Sequence, residues 1–213
     1  MPRHADHEQR RRQITDAART VIAERGLPAT TFESVSTTAG CSARLLQYYF
    51  GSKEELLRAA RQAVLADAGR RFEASLAGLA ETPTPPEAIR QVLLQRLPGT
   101  PAEVQDARVL AEFHDRAVTD ASAASSGAAA ALSALIVGLL QRDPASAGAD
   151  PVDTARTART ATTDAADAAG AALRADLAVA ATGGVVQGVL SREHDHAHAV
   201  RLIDLLVDRL FGP

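Results

Sequence analysis

The sequence predicts an all-α protein, and three observations carry that prediction. Alanine supplies 46 of the 213 residues, and no residue favours the helix more. Only two tyrosines and five phenylalanines are present, with no tryptophan, too few for a sheet-based core rich in aromatic and β-branched side chains. Apolar residues recur three and four apart through most of the chain, the spacing of one helix face.

The first helix carries Ile14, Ala17, Ala18, Val21 and Ile22 on one face, with Gly26 just past it as the terminating glycine. Thr30-Thr31-Phe32-Glu33 then matches a Ser/Thr-x-x-Glu capping box and opens a short helix that turns Phe32, Val35 and Ala39 inward. Gly40-Cys41 breaks it. Ser42 offers the N-cap of a third helix through Phe50, with Leu46 and Phe50 inward. Ser52-Lys53-Glu54-Glu55 is a second capping box, opening a long helix whose apolar row runs from Leu56 to about Leu79.

Pro83, Pro85 and Pro86 interrupt that helix, because proline removes backbone donors and clashes with a helix interior. Beyond them the pattern stays helical. Thr100-Pro101-Ala102-Glu103 combines a cap, a proline at the first helical position and a glutamate at the third. Another helix is marked by Leu132, Leu135, Ile136, Leu139 and Leu140, ending at Asp143-Pro144. Residues 143–151 read as a loop; residues 152–172 are compatible with a helix but, short of large apolar side chains to hold them to a core, are expected to be partly disordered. The segments Leu173–Leu190 and Val200–Phe211 are so apolar that they are expected to bury surface against a partner chain as well as their own.

These elements divide the chain into a three-helix head over residues 1–57, a linking helix over about 53–80, and a helical body over 81–213. Charge follows the division: residues 1–70 carry a net +3 and residues 71–213 a net −6. A basic head suits a polyanion. One cysteine forms no intrachain disulfide. No window approaches 18 uninterrupted apolar residues and the charged N-terminus lacks an apolar leader, so the expectation is a cytoplasmic protein with no membrane partner.

Three short helices with a glycine turn between the second and third form a helix-turn-helix arrangement, whose third helix lies in the DNA major groove. With Leu46 and Phe50 inward, Ala43, Arg44 and Gln47 share its outer face. Arginine pairs bidentately with guanine and glutamine with adenine. Thr31, Ser42, Leu45, Tyr48, Tyr49 and Lys53 complete the expected DNA-binding set, the hydroxyls and the lysine facing phosphate oxygens.

At these residues the sequence resembles the TetR (TetR/AcrR) family of transcriptional regulators. The resemblance runs from about Arg11 to Leu57 and includes Thr31-Phe32-Glu33-Ser34-Val35, Ala39-Gly40-Cys41-Ser42 and Tyr49-Phe50-Gly51-Ser52-Lys53-Glu54-Glu55-Leu56-Leu57. Gln47 stands where the family usually has tyrosine, exchanging a backbone contact for a base contact, and Cys41 where valine is common. The resemblance implies a homodimeric repressor on a pseudo-palindromic operator, its heads in successive major grooves about 34 Å apart. It also implies release by a small-molecule effector. No nucleophile motif, Gly-rich phosphate loop or paired carboxylate pattern stands out in the sequence, so neither an enzyme nor a bound cofactor is expected. Val109, Phe113, Leu135 and Leu139 are the expected apolar lining of the effector site and His114 a polar anchor, suiting a modest neutral or anionic molecule.

Several residues admit a second reading. Glu193-His194-Asp195-His196-Ala197-His198 is the most metal-like stretch, yet Asp195 as the N-cap of the last helix accounts for it without a metal. Cys41 fits a small core residue better than a redox sensor. The alternative function is a helical protein that binds a small molecule or metal and carries a vestigial head; binding to the protein's own upstream DNA discriminates the two.

Overall fold

The computed structural model describes residues 2–77, 83–119, 127–141 and 157–212. Among those residues nine helices and no strand occur: α1 (Pro2–Ala29), α2 (Phe32–Ala39), α3 (Ala43–Phe50), α4 (Lys53–Ala77), α5 (Pro85–Leu94), α6 (Pro101–Thr119), α7 (Ala128–Leu140), α8 (Thr157–Leu190) and α9 (His196–Phe211). They form two compact units, Met1–Ala74 with Pro98–Ser125, and Ser75–Leu97 with Ser126–Pro213.

The first unit is built on the α1 face read from the sequence. Ile14, Ala18, Val21 and Ile22 are buried against Val35 of α2, Leu46 and Phe50 of α3, and Leu56, Leu57, Ala60 and Val64 of α4. Val109 of α6 is fully buried in the same core, with Leu110 and Phe113 packed on it. Where the composition places one seam near residue 81, α6 thus packs with the head across it.

Ion pairs join the same helices. Arg19 of α1 meets Asp67 of α4 at 2.8 Å and also pairs with Asp106 of α6, which is nearly buried; Arg71 of α4 reaches Asp106 at 3.2 Å. Burial lowers the pKa of Arg19, but its bonds to Asp106 and Asp67 outweigh that and raise it. Glu103 at the start of α6 accepts the backbone N–H groups of Gly99 and Thr100, while its own N–H donates to the Thr100 hydroxyl at 3.2 Å, the start signal expected there.

The second unit packs Ile89 and Leu93 of α5, Ile136 of α7, Ala175, Ala178 and Val179 of α8, and Ile203, Val207 and Phe211 of α9. Alanines on the buried face of α8 bring the neighbouring backbones close. Arg90 donates to Asp204 at 2.7 Å, tying α5 to α9, and Ser133 to Asp176 at 2.5 Å, tying α7 to α8. The segment Asp167–Leu190 is long and apolar enough to cross a membrane by length and composition alone, yet in this fold it packs on α7 and α9. Leu173, Leu177 and Leu205 stay exposed.

Several local expectations change. The box opening α2 pairs Thr31 with Ser34, not Thr30 with Glu33: the Thr31 hydroxyl accepts the Ser34 N–H at 3.1 Å and Ser34 Oγ accepts the Thr31 N–H at 2.9 Å. Thr30 is fully buried and donates to the Gly26 carbonyl at 2.9 Å, closing the turn after α1. At α4 only half the box forms. Ser52 Oγ accepts the Glu55 N–H, while the Glu55 carboxylate pairs with Arg58 at 2.6 Å. Pro85 opens α5 rather than only closing a helix, and Thr84 donates twice to Glu87. The stretch expected to be partly disordered is helical from Thr157 onward, as its alanine content allows. Residues 78–82 and 142–156, including the loop and the Asp143-Pro144 stop, lie outside the described residues.

Candidate nucleic-acid interface

Two left-handed glycines frame α3. Gly40 (φ 63°) ends α2 and the Cys41 N–H returns to the Ser36 carbonyl at 3.0 Å, turning the chain sharply into α3. Gly51 (φ 69°) ends α3, its N–H donating to the Gln47 carbonyl at 2.9 Å. Such φ values strain any residue with a Cβ. Ser42 starts α3 by accepting the Leu45 N–H at 3.3 Å, a cap worth about 1 kcal/mol. Cys41 is half-buried against the core, in the packing role expected of it.

Within α3 only Leu46 and Phe50 are buried. Ala43, Arg44 and Gln47 are exposed on the opposite side, as their spacing predicts, and Leu45 is half-buried between the two faces. Tyr48 is 75% exposed, the most exposed large hydrophobic among the described residues. Tyr49, half-buried, holds it edge-on with ring centroids 5.5 Å apart, and the His7 ring lies 4.4 Å from Tyr49. Thr31 and Ser42 are exposed, but both side chains are engaged as helix caps. Lys53 follows at the first turn of α4, its ammonium 3.3 Å from the Pro28 carbonyl.

The first turns of α1 lie beside this surface. Arg11 donates to the Tyr49 carbonyl at 2.9 Å, and its guanidinium sits 4.5 Å from the Phe50 ring centroid. A shallow open recess is lined by Asp6, His7, Gln9, Arg10, Gln13 and Tyr49. The arrangement is an eight-residue helix with an exposed outer face, held at both ends by turns and from behind by α1.

Residues 14–60 match the family model described as bacterial regulatory proteins, tetR family. The fold agrees over nearly the whole chain: a TetR-family transcriptional regulator from Rhodococcus superposes with a TM-score of 0.72 at 21% identity, covering 95% of this chain and 98% of that one. Residues 14–60 are thus similar to the tetR family of regulators, and the whole chain shares the fold of such proteins.

Relatives in sequence include the HTH-type transcriptional regulator PksA of Bacillus subtilis, 31% identical over 128 residues, and the HTH-type transcriptional regulator BetI of Burkholderia cenocepacia, 43% identical over 67. These matches span 57% of this chain and 60% of PksA, and 32% of this chain and 34% of BetI. Among solved structures, a transcriptional regulator from Saccharomonospora viridis in complex with choline has a TM-score of 0.68 at 18% identity, covering 94% of this chain and 96% of that one.

The expected effector contacts fall in both units. Val109 is sealed in the first core, and Phe113 is half-buried on it with the Arg61 guanidinium 5.5 Å from its ring. His114 is exposed. Leu139 packs on the second core, while Leu135 is 38% exposed. At the metal-like stretch, Asp195 caps α9 by accepting the His198 N–H at 2.6 Å, the role expected of it. Among the described residues no three His, Cys, Asp or Glu side chains cluster as a metal site.

Spacing alone missed Arg11, His7, Asp106 and Glu112. The basic run Arg10-Arg11-Arg12 was visible, but nothing in it singled out the middle member. No sequence signal tied Asp106 or Glu112 to residues more than eighty positions earlier.

Proposed function

We propose that this protein is a ligand-responsive DNA-binding transcriptional regulator, a homodimeric repressor released from a pseudo-palindromic operator by a small molecule. One observation carries the reading. Ala43, Arg44, Gln47 and Tyr48 form an exposed face on a helix framed by Gly40 and Gly51, inside the segment that matches the family. An exposed arginine and glutamine one turn apart have no packing role there, and both suit base edges in the major groove.

Thr31, Ser42, Tyr49 and Lys53 flank that face with hydroxyls and a charge that act on the phosphate backbone, and Leu45 lies beside them. Phosphate contacts of this kind fix the register of a head on its duplex. Leu173, Leu177 and Leu205, exposed on α8 and α9, support a second copy as partner. The protein acts in the cytoplasm, where its DNA is, and as a regulator rather than a catalyst.

The effector is a modest aliphatic or oxygenated molecule, neutral or anionic. Phe113 and Phe211 are the only aromatics after residue 80, and both pack against the cores, which leaves no stacked cage for a flat cation. Its proposed contacts are taken unit by unit: Val109, Phe113 and His114 on α6 in the first, and, as a separate set, Leu135 and Leu139 on α7 in the second. Binding to the DNA upstream of its own gene, measured against scrambled DNA at several salt concentrations, tests the reading. A specific complex that a small molecule dissolves is expected; equal affinity for both DNAs would leave only a helical ligand-binding protein with an idle head.

A further inference from the structure

We infer that Arg11 is a positioning residue that clamps the C-terminal end of the recognition helix, and that it makes no contact with DNA. The inference rests on the DNA-binding reading for its consequence, though not for its geometry. Helix α3 is only eight residues long, and helices that short do not hold together alone in water. Its last carbonyls need partners, and its C-terminal end carries partial negative charge. Arg11 supplies both needs by donating to the Tyr49 carbonyl at 2.9 Å while its guanidinium lies over the buried Phe50 ring. A planar, always-charged fork can do the two things together; a lysine ammonium cannot. The Arg11 carbonyl in turn accepts the hydroxyl of the nearly buried Thr15 at 2.8 Å, which fixes that turn of α1.

Its neighbours in the basic run behave otherwise. Arg12 forms an open pair with Glu8 at 3.5 Å, and Arg10 reaches only Gln13 at 3.0 Å. Three adjacent arginines therefore hold one clamp. Through Tyr49 and Phe50, the clamp sets the end of α3 that also carries Gln47 and Tyr48.

Arg11→Gln and Arg11→Lys, with Arg12→Gln as control, are compared with wild type in two measurements. Hydrogen exchange of the free protein comes first. In Arg11→Gln the amides of Tyr48, Tyr49, Phe50 and Gly51 exchange about tenfold faster than in wild type while those of α2 stay unchanged, a local opening. Arg11→Lys falls between, and Arg12→Gln matches wild type. The second measurement is operator affinity against salt. Arg11→Gln weakens binding about tenfold, because less protein holds the competent shape, yet keeps the wild-type slope of log affinity on log salt. A slope smaller by about 0.9 would mean a lost phosphate contact and overturn the inference. Exchange that rises equally in α2 and α3, or in neither, would also overturn it. If wild type does not prefer its operator, the functional reading fails, and the exchange measurement still decides the role of Arg11.

Discussion

The carboxylate of Glu112 accepts the backbone N–H of Leu27 at 3.0 Å. It spans 85 residues of sequence to reach the place where α1 breaks at Gly26, whose φ of 78° interrupts the helix. A broken helix exposes donors, and this one is satisfied from α6. A Cβ at Gly26 would lie 2.9 Å from the same Glu112 oxygen.

Glu112→Ala is therefore expected to destabilise the first unit by about 1–3 kcal/mol, the cost of leaving a buried donor unpaired. Gly26→Ala should cost at least about 1–2 kcal/mol from its left-handed backbone alone. Denaturant unfolding, monitored by circular dichroism, checks both. An unchanged midpoint for Glu112→Ala would mean that water replaces the carboxylate at no cost.

Arg44→Ala and Gln47→Ala should each remove discrimination at one operator position, about 1–3 kcal/mol per lost bidentate pair. Weak, salt-sensitive binding should persist. Lys53→Ala should instead weaken all sequences alike and reduce the salt slope by about 0.9. Affinities over a set of single-base operator variants distinguish the two patterns. Full selectivity in Arg44→Ala would place the reading face elsewhere.

Glu103 supplies a pH dependence with a definite sign. Burial raises its pKa, but the N–H groups of Gly99 and Thr100, the Thr100 hydroxyl and Arg71 together lower it below the ordinary carboxylate value. The folded form thus binds a proton less readily than the unfolded chain. Its contribution is present above the unfolded pKa and lost as the pH falls through the lower folded one. Wild type should be more stable than Glu103→Gln at neutral pH, and the two should converge in acid. Thermal melts between neutral pH and about pH 3 read this; a constant gap would show that the charge contributes nothing.

Leu205→Asp should produce a monomer and lose operator binding together, since one head on one half-site lacks the affinity of two. Leu206 belongs to the same apolar run, but it packs on the second core, whereas Leu205 is 54% exposed and free to meet another chain. Light scattering and operator titration on the same samples check the coupling. A dimeric Leu205→Asp, or a monomeric wild type at micromolar concentration, would exclude this face.

What the sequence made legible was what is local. Gly26, Gly40, Ser42 and Asp195 do in the structure what their residue types announce, because a left-handed turn or a cap is decided within a few positions. The burial of Leu46 and Phe50 beside exposed Ala43, Arg44 and Gln47 was equally plain, since helical spacing has one consistent solution there. The Thr30-Glu33 match misled because an adjacent serine, Ser34, completes the same motif from Thr31. Arg19 with Asp106, Glu112 with Leu27 and Arg11 with Phe50 left no trace in spacing, for each joins residues that only tertiary packing brings together. Effector contacts are the least legible for the same reason.

The placement of Val109, Asp106 and Glu112 has a practical consequence for anyone who would isolate the head. A fragment ending at Ala74 would contain every residue matched by the family and all of α1, α2 and α3. It would still lack a wall. Arg19 would lose its Asp106 carboxylate, the Leu27 N–H its acceptor, and Ile14 and its neighbours the aliphatic cover of Val109. The smallest fragment that keeps this head whole must be discontinuous in sequence, carrying α6 along with α1 to α4.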